Sequence, residues 1–289
     1  MINKGIILAG GMGTRMSPLT KAVNKQLLPL YDKPLIFYPL SILMLAGIKN
    51  ILIIVNKGQL SQFRKILPEN NNIGLKIEYK EQLRPAGLPQ AFTIGEKFIG
   101  KDNVSLILGD NFFYGQSLTK TLKKNSSFTK GAKVFLHPVK NPNLYGVATL
   151  NNNMKVVKLI EKPKKTKSNL AVTGLYYFDN QVVNYTKKLK PSKRGELEII
   201  DLLNIYKKRN ILKADLIGRG GAWLDTGNVK DYYNASNFIS TIENRQGLKI
   251  ACLEEIALNN KWITKNDVKK SILFYGNCDY SKYLKTLIN

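Results

Sequence analysis

Cysteine occurs twice, at Cys252 and Cys278, and histidine once, at His137. With no Cys-x-x-Cys pair and no second imidazole, neither a disulfide framework nor a zinc site is supported. His137, in Leu136-His137-Pro138, follows an apolar strand without Cys or His neighbours, so a structural or solvent-facing role is expected of it rather than catalysis. Long apolar runs are also missing: none approaches the roughly 20 residues of a membrane-spanning helix. The apolar stretch near the start breaks at Gly10-Gly11, too early for a secretory signal, so a cytoplasmic protein with no membrane partner is expected.

Acidic residues are scarce, 20 Asp and Glu against 45 Lys and Arg, for a net charge of +25. Such an excess raises the question of nucleic acid, because clustered Lys and Arg release counterions from a phosphate backbone. The lysines are scattered as singles and pairs, as at Lys123-Lys124, Lys187-Lys188 and Lys269-Lys270, and aromatic residues do not interleave with them. Nucleic acid is therefore not the expected partner, whereas a positive field that draws small polyanions is. At 289 residues and 44% hydrophobic, the chain has enough material for one large α/β domain, alone or with a small appendage.

What is present is a concentrated glycine segment. Lys4-Gly5-Ile6-Ile7-Leu8 reads as a buried strand that runs into Ala9-Gly10-Gly11-Met12-Gly13-Thr14-Arg15, and Lys25-Gln26-Leu27-Leu28-Pro29 follows. Glycines at 10, 11 and 13 allow positive φ and remove Cβ atoms that would hold phosphate oxygens off the backbone N–H groups. Arg15 adds a planar fork of donors and Lys25 a compact mobile charge for an α-phosphate under displacement. A plain glycine turn is the alternative for the cluster by itself. Met16 stands where a dinucleotide fingerprint needs a small residue, and Gly13-Thr14-Arg15 stands where a P-loop needs Gly-Lys-Ser/Thr, so another nucleotide fold is implied.

Further apolar runs at 51–55, 75–79, 104–108 and 132–136 alternate with helix-like stretches around 34–47, 59–66, 89–98 and 116–124. This alternation predicts a mostly parallel sheet with helices on both faces and ligands at the carboxyl ends of the strands, where the glycine loop and Gly109-Asp110 fall. Strand-like runs at 146–150, 156–160 and 173–178 lie in a turn-rich half, and beyond about 240 the apolar spacing becomes helical. Asp110 closes a buried strand and Asp225 follows Trp223-Leu224; two such carboxylates suit magnesium. Sequence alone leaves open that Asp225 caps a helix or turn. Glu161 and Lys162 end the run 156–160 at Pro163, where alternation aims them at opposite faces unless the chain turns; a solvated surface pair is the other reading. Trp223 is expected as packed wall rather than ligand contact.

Leu8–Arg15, Lys25–Pro29, Tyr31-Asp32-Lys33-Pro34, Leu108–Asn111, Ile160–Pro163, Ala171–Tyr176, Arg194–Ile199 and Ala222–Gly227 resemble, in order, the signature segments of the sugar-phosphate nucleotidyltransferases. The resemblance covers nearly the whole chain. It implies a three-layer α/β/α Rossmann-like nucleotidyltransferase fold with a mostly parallel central sheet, a sugar-binding part and C-terminal helices. A catalytic domain would span 1–240, divided near 138 into nucleotide- and sugar-binding parts, with 241–289 as a helical segment at a subunit interface.

The resemblance also implies a reaction: nucleotidyl transfer from dTTP to glucose 1-phosphate with magnesium, in a homotetramer, UTP or another sugar 1-phosphate and an idle nucleotide-binding homologue being the alternatives. Arg15, Lys25 and Lys162 would be catalytic. Leu8, Gly10, Gly11, Gly13, Thr14, Arg15, Gln82, Gly87 and Asp110 would bind the nucleotide, Gln82 and Gly87 at the base. Asn111, Tyr145, Gly146, Glu161, Lys162, Val172 and Arg194 would hold the sugar phosphate, and Asp110 and Asp225 the metal. Two departures stand out. Ala86 and Pro89 replace the family's acidic residue and alanine in the base loop. Gln116 and Asn244 replace histidines near a regulatory interface site at which nucleotide-sugar product inhibits; Arg219 and Cys252–Ile256 resemble further parts of that site.

Overall fold

A computed structural model describes residues 1–289. The first half runs β1 (Ile2–Ala9), the small hairpin β2 (Pro29–Leu30) and β3 (Lys33–Pro34), α1 (Phe37–Leu45), β4 (Asn50–Asn56), α2 (Leu60–Ile66) and β5 (Lys76–Gln82). It continues through α3 (Gln90–Ile94), α4 (Glu96–Ile99), β6 (Asn103–Leu108), β7 (Asn111–Gly115), α5 (Leu118–Ser126) and β8 (Ala132–Pro138). The second half holds β9 (Gly146–Leu150), β10 (Val156–Glu161), β11 (Leu170–Phe178), α6 (Val182–Thr186), α7 (Ile199–Lys208), β12 (Leu212–Leu216) and β13 (Gly221–Asp225). Four helices finish the chain: α8 (Val229–Gln246), α9 (Leu253–Asn259), α10 (Lys265–Tyr275) and α11 (Asp279–Thr286).

The main sheet runs β5-β4-β1-β6-β11-β8-β12. Neighbours β5, β4, β1 and β6 are parallel, β11 is antiparallel to both β6 and β8, and β12 is parallel to β8, so only β11 runs against the rest. The β9–β10 hairpin joins through the start of β11 and carries the sheet past the end of β6. A mostly parallel sheet follows from strands apolar on both sides. In β1, Ile7 and Ala9 enter one core with α1, α2, α5 and the C-terminal helices, while Ile6 and Leu8 enter another with α3, α4, α6 and α7. Two cores on opposite faces of one sheet make three layers, as the sequence predicts.

Helix α1 is buried from Phe37 to Met44 because it lies between the sheet and α9, so it needs an apolar surface all round. No strand follows Asp225. Capping sets the start of α10, where Thr264 and Asp267 bond each other's backbone. The loop from α8 to α9 is held by an ionic knot around buried Lys33 and Glu243: Lys33 and Lys249 each pair with both Asp32 and Glu243. No helix is long and apolar enough to cross a membrane, and both cysteines are free thiols.

Candidate active site

Strand order places the site. From β1 the chain turns to β4 on one side, while β6 lies on the other, and ligands in open α/β sheets settle at such a reversal, outside the carboxyl ends of the strands. Leu8 pairs with Leu108 in register, so Gly10 and Asp110 leave the sheet side by side. Gly109 is required between them, since a Cβ there would stand 2.9 Å from the Leu8 carbonyl oxygen. In the glycine segment, Gly11 (φ +105°) and Gly13 (φ +59°) have the positive φ expected of a cradle. Asn56 exchanges two 2.8 Å hydrogen bonds with the backbone of Gly11, so that N–H is already committed. Thr14 and Arg15 form a single exposed helical turn beyond the loop.

Asp110 is clamped on both oxygens: Lys25 Nζ donates to one at 2.7 Å and Asn111 Nδ2 to the other at 3.0 Å. Burial works to raise the Asp110 pKa, but Lys25, with Asn111 and Arg15, outweighs it and holds the carboxyl below its ordinary value. Asp225 has no such partner. Burial first, and the Asp110 charge second, push it up to about 7. Strands β7 and β13 bring the two aspartates together, pairing Asp225 directly with Asn111. Two hard carboxylates on one cavity wall, one of them short of positive charge, fit a divalent cation that takes the rest of its shell from water and phosphate. Arg15 reaches the same place: a Cβ on Gly227 would lie 3.0 Å from its guanidinium and 3.2 Å from the Asp225 carboxylate.

The sugar side is built on β9, β10 and β11. Glu161 closes β10 opposite Gly146, and a Cβ there would meet Ile200 at 2.6 Å, so a bare backbone is needed. Lys162 has φ +41°, which supplies the turn that the Pro163 signal predicted and puts Glu161 and Lys162 on the same cavity. Glu161 carries a raised pKa, caused by burial first and then by the Glu198 charge. Arg194 donates three hydrogen bonds of 2.8–3.1 Å to Glu198 and lies 3.5 Å from Glu161.

One cavity of about 370 Å³ joins both sides. Leu8, Gly10, Arg15, Asp110, Asn111, Tyr145, Gly146, Glu161, Lys162, Val172, Arg194 and Asp225 all line it. Lys25 stands behind Asp110; Gly11, Gly13, Thr14, Gln82 and Gly87 lie outside the lining. Gln82 is buried against Gly10, with its amide nitrogen 2.6 Å from Gln90 Oε1. Gly87 (φ +101°) bridges Leu197, where a Cβ would stand 2.1 Å from the carbonyl oxygen, so the base loop is tied to the loop that bears Arg194. Pro89 is accommodated as the residue before α3.

Sequence reasoning gave no role to Gln26, Gly174 or Glu198, which line the cavity, or to Thr226, whose N–H and hydroxyl hold the Asp110 carbonyl. All four lie within segments already singled out; their individual roles are set by pairings across 60 to more than 100 residues, as for Asn111 with Gly174 and Trp223. His137 is packed edge-on against Trp223 with its pKa pushed down by burial, as a structural residue. A second cavity lies over α1, lined by Tyr114, Gln246, Cys252 and Ile256 among others; Gln116, Arg219 and Asn244 are not part of it.

A profile of the nucleotidyl transferase family matches residues 4–242. The chain belongs to this family. A glucose-1-phosphate thymidylyltransferase of Neisseria meningitidis is 50% identical over 99% of both chains, and one of Mycolicibacterium smegmatis is 45% identical over 99% of both. Among solved structures, a glucose-1-phosphate thymidylyltransferase of Bacillus anthracis in complex with a sucrose aligns at TM-score 0.75 and 39% identity, over 81% of this chain and 94% of that one. A UDP-glucose pyrophosphorylase complexed with UDP-glucose aligns at 0.73 and 27% identity, over 84% and 100%.

Proposed function

We propose that this nucleotidyl transferase is a glucose-1-phosphate thymidylyltransferase, which makes dTDP-glucose and pyrophosphate from dTTP and glucose 1-phosphate. The observation that carries the reading is the single cavity with Asp110, Asp225 and Arg15 at one end and Glu161, Lys162 and Arg194 at the other. Both substrates fit such a division, triphosphate at the strand ends and sugar phosphate against β9–β11. Full-length identity of 45–50% to thymidylyltransferases, against 27% for the UDP-glucose enzyme, places dTTP ahead of UTP. The distinction is narrow chemically, since thymine and uracil differ by one methyl, worth about 1–3 kcal/mol in a pocket.

The sugar phosphate is ionised at neutral pH, so attack on the α-phosphorus needs no general base, in keeping with a site that contains no histidine. Catalysis then rests on alignment and on charge neutralisation. Magnesium held by Asp110 and Asp225 would supply charge neutralisation at the phosphates. Lys25 holds Asp110 and places a cation behind the α-phosphate; Arg15 is positioned to hold phosphate oxygens; Lys162 neutralises the incoming phosphate. Glu161, its carboxyl next to Gly146, accepts from sugar hydroxyls, while Gln82 and Gly87 are assigned to the base by the family resemblance. The protein is proposed to work in the cytoplasm as a homotetramer, with exposed Leu273 and Phe274 on α10 available for subunit contact.

Incubation with dTTP, glucose 1-phosphate and magnesium, followed by chromatography, is expected to give dTDP-glucose, and faster than UTP gives UDP-glucose. No nucleotide sugar from either would end the reading; a preference for UTP would move it to the uridylyl class.

A further inference from the structure

Asn111 is 2% exposed and lies between the aspartate pair and the wall of the sugar cavity. Its Oδ1 accepts from the indole Nε1 of Trp223 at 2.6 Å and from the backbone N–H of Gly174 at 3.1 Å. An amide nitrogen in that position would oppose two donors with a donor of its own, so the side chain has one orientation. That orientation turns Nδ2 toward Asp110 Oδ1, 3.0 Å away, while Lys25 holds Oδ2. The fit is tight, because a Cβ on Gly174 would stand 2.5 Å from Asn111 Oδ1.

Trp223 does more than fill space. Its ring packs edge-on against Tyr145, with centroids 5.1 Å apart, a contact that any aromatic side chain can make. Only an indole also places an N–H on the buried oxygen of Asn111. Without it, that oxygen keeps the Gly174 donor alone, and the amide is held less firmly in the orientation that aims Nδ2 at Asp110. A looser amide leaves Asp110 Oδ1 less well fixed, and the carboxylate gains freedom to move off its present direction.

We infer that Trp223 is a positioning residue, whose indole N–H acts through Asn111 to fix the direction in which the Asp110 carboxylate faces the bound cation. The inference rests on the proposed metal role of Asp110 and Asp225. It gives Asn111 a task other than the sugar contact that the family resemblance implies. Hydrogen-bond partners that orient a metal ligand are commonly worth about 10–100-fold in metal affinity.

Mn²⁺ is the probe, its binding to the full chain followed by loss of the free-ion paramagnetic resonance signal. Trp223→Phe keeps a ring and removes the donor; it is expected to weaken Mn²⁺ binding about tenfold and to change KM for glucose 1-phosphate by less, through the Tyr145 contact. Asn111→Ala is expected to weaken Mn²⁺ binding as much, and the double variant no further than Asn111→Ala. Unchanged Mn²⁺ affinity with a raised glucose 1-phosphate KM in Trp223→Phe would overturn the inference, as would additive losses in the double variant. Should circular dichroism show that Trp223→Phe does not fold, Asn111→Ala decides, since full Mn²⁺ affinity there overturns the relay. Wild-type protein that binds no Mn²⁺ sensitive to Asp225→Asn would overturn the metal reading itself, and the inference with it.

Discussion

Lys25 and Asp110, 85 residues apart in the chain, meet at 2.7 Å behind the cavity wall, with the Lys25 side chain 7% exposed. In the proposed reaction this lysine is shared between the Asp110 carboxylate and a phosphate of the substrate. Its loss removes a buried cation facing charge that builds during displacement. Lys25→Ala is expected to lower kcat by about 10²–10³, the size found when one preorganised donor to a developing charge is removed. Lys25→Arg should not restore the rate, because the buried space behind Asp110 is shaped for an ammonium. Steady-state kinetics at saturating magnesium check both; an Ala variant with wild-type kcat would remove Lys25 from the chemistry.

Gly87 is the point at which the base loop touches the loop bearing Arg194. At φ +101°, with Leu197 oxygen 2.1 Å from any Cβ, Gly87→Ala must part the two strands of contact as well as bear backbone strain of about 1–3 kcal/mol. KM for dTTP and for glucose 1-phosphate should therefore rise together, because one hinge serves both loops. A change confined to dTTP would show that the two loops act independently.

Arg194 is engaged by Glu198, so in its proposed role it would have to exchange a carboxylate for the sugar phosphate. Arg194→Gln is expected to raise KM for glucose 1-phosphate about tenfold or more, as for loss of a charge-assisted bond, with kcat less affected. A fall in kcat at unchanged KM would place Arg194 in the transition state instead.

The ionic knot predicts how the fold responds to acid. Burial tends to raise the Asp32 pKa, but Lys33 and Lys249 outweigh it and hold the carboxyl below its ordinary value. A depressed carboxylate contributes stability above its unfolded pKa and loses it as pH falls through the folded value. The thermal midpoint of wild-type protein should thus drop on acidification below about pH 4, and Asp32→Asn should show a smaller drop from a lower start. Lys33→Met leaves Glu243 buried with Lys249 alone and is expected to cost about 3–5 kcal/mol in unfolding free energy. Denaturant titration measures it; a neutral result would mean that Lys249 suffices for both carboxylates.

The parts of the fold written in local pattern were legible. Alternating apolar runs and helical stretches marked β1, β4, β5, β6, β8 and the helices between them, and the glycine segment and Gly109-Asp110 were read as neighbours at strand ends, as the β1–β6 register places them. The β7–β13 ribbon left no such trace: its strands join Asn111–Gly115 to Gly221–Asp225, and nothing in either segment names the other. That ribbon is what unites Asp110 with Asp225, so the sequence offered two candidate carboxylates and only the family resemblance paired them. How far helix α8 runs was not legible, for a different reason. It buries little beyond Ala235, Ile239 and Glu243, so its apolar stripe is too thin to register as a period. The commitment of Gly11 N–H to Asn56, and of Arg194 to Glu198, depends on side-chain packing that spacing does not encode.

In the proposed reaction an oxygen of the sugar phosphate, arriving from the Glu161–Lys162 side, displaces pyrophosphate from an α-phosphorus near Asp110. Glucose 1-phosphate labelled with oxygen-18 on its phosphate tests it most directly, with the products read by phosphorus resonance. Isotope shifts are expected at both phosphorus atoms of dTDP-glucose, from a labelled bridging oxygen, together with an unlabelled pyrophosphate. Label in the pyrophosphate, or an unshifted α-phosphorus in the nucleotide sugar, would contradict it.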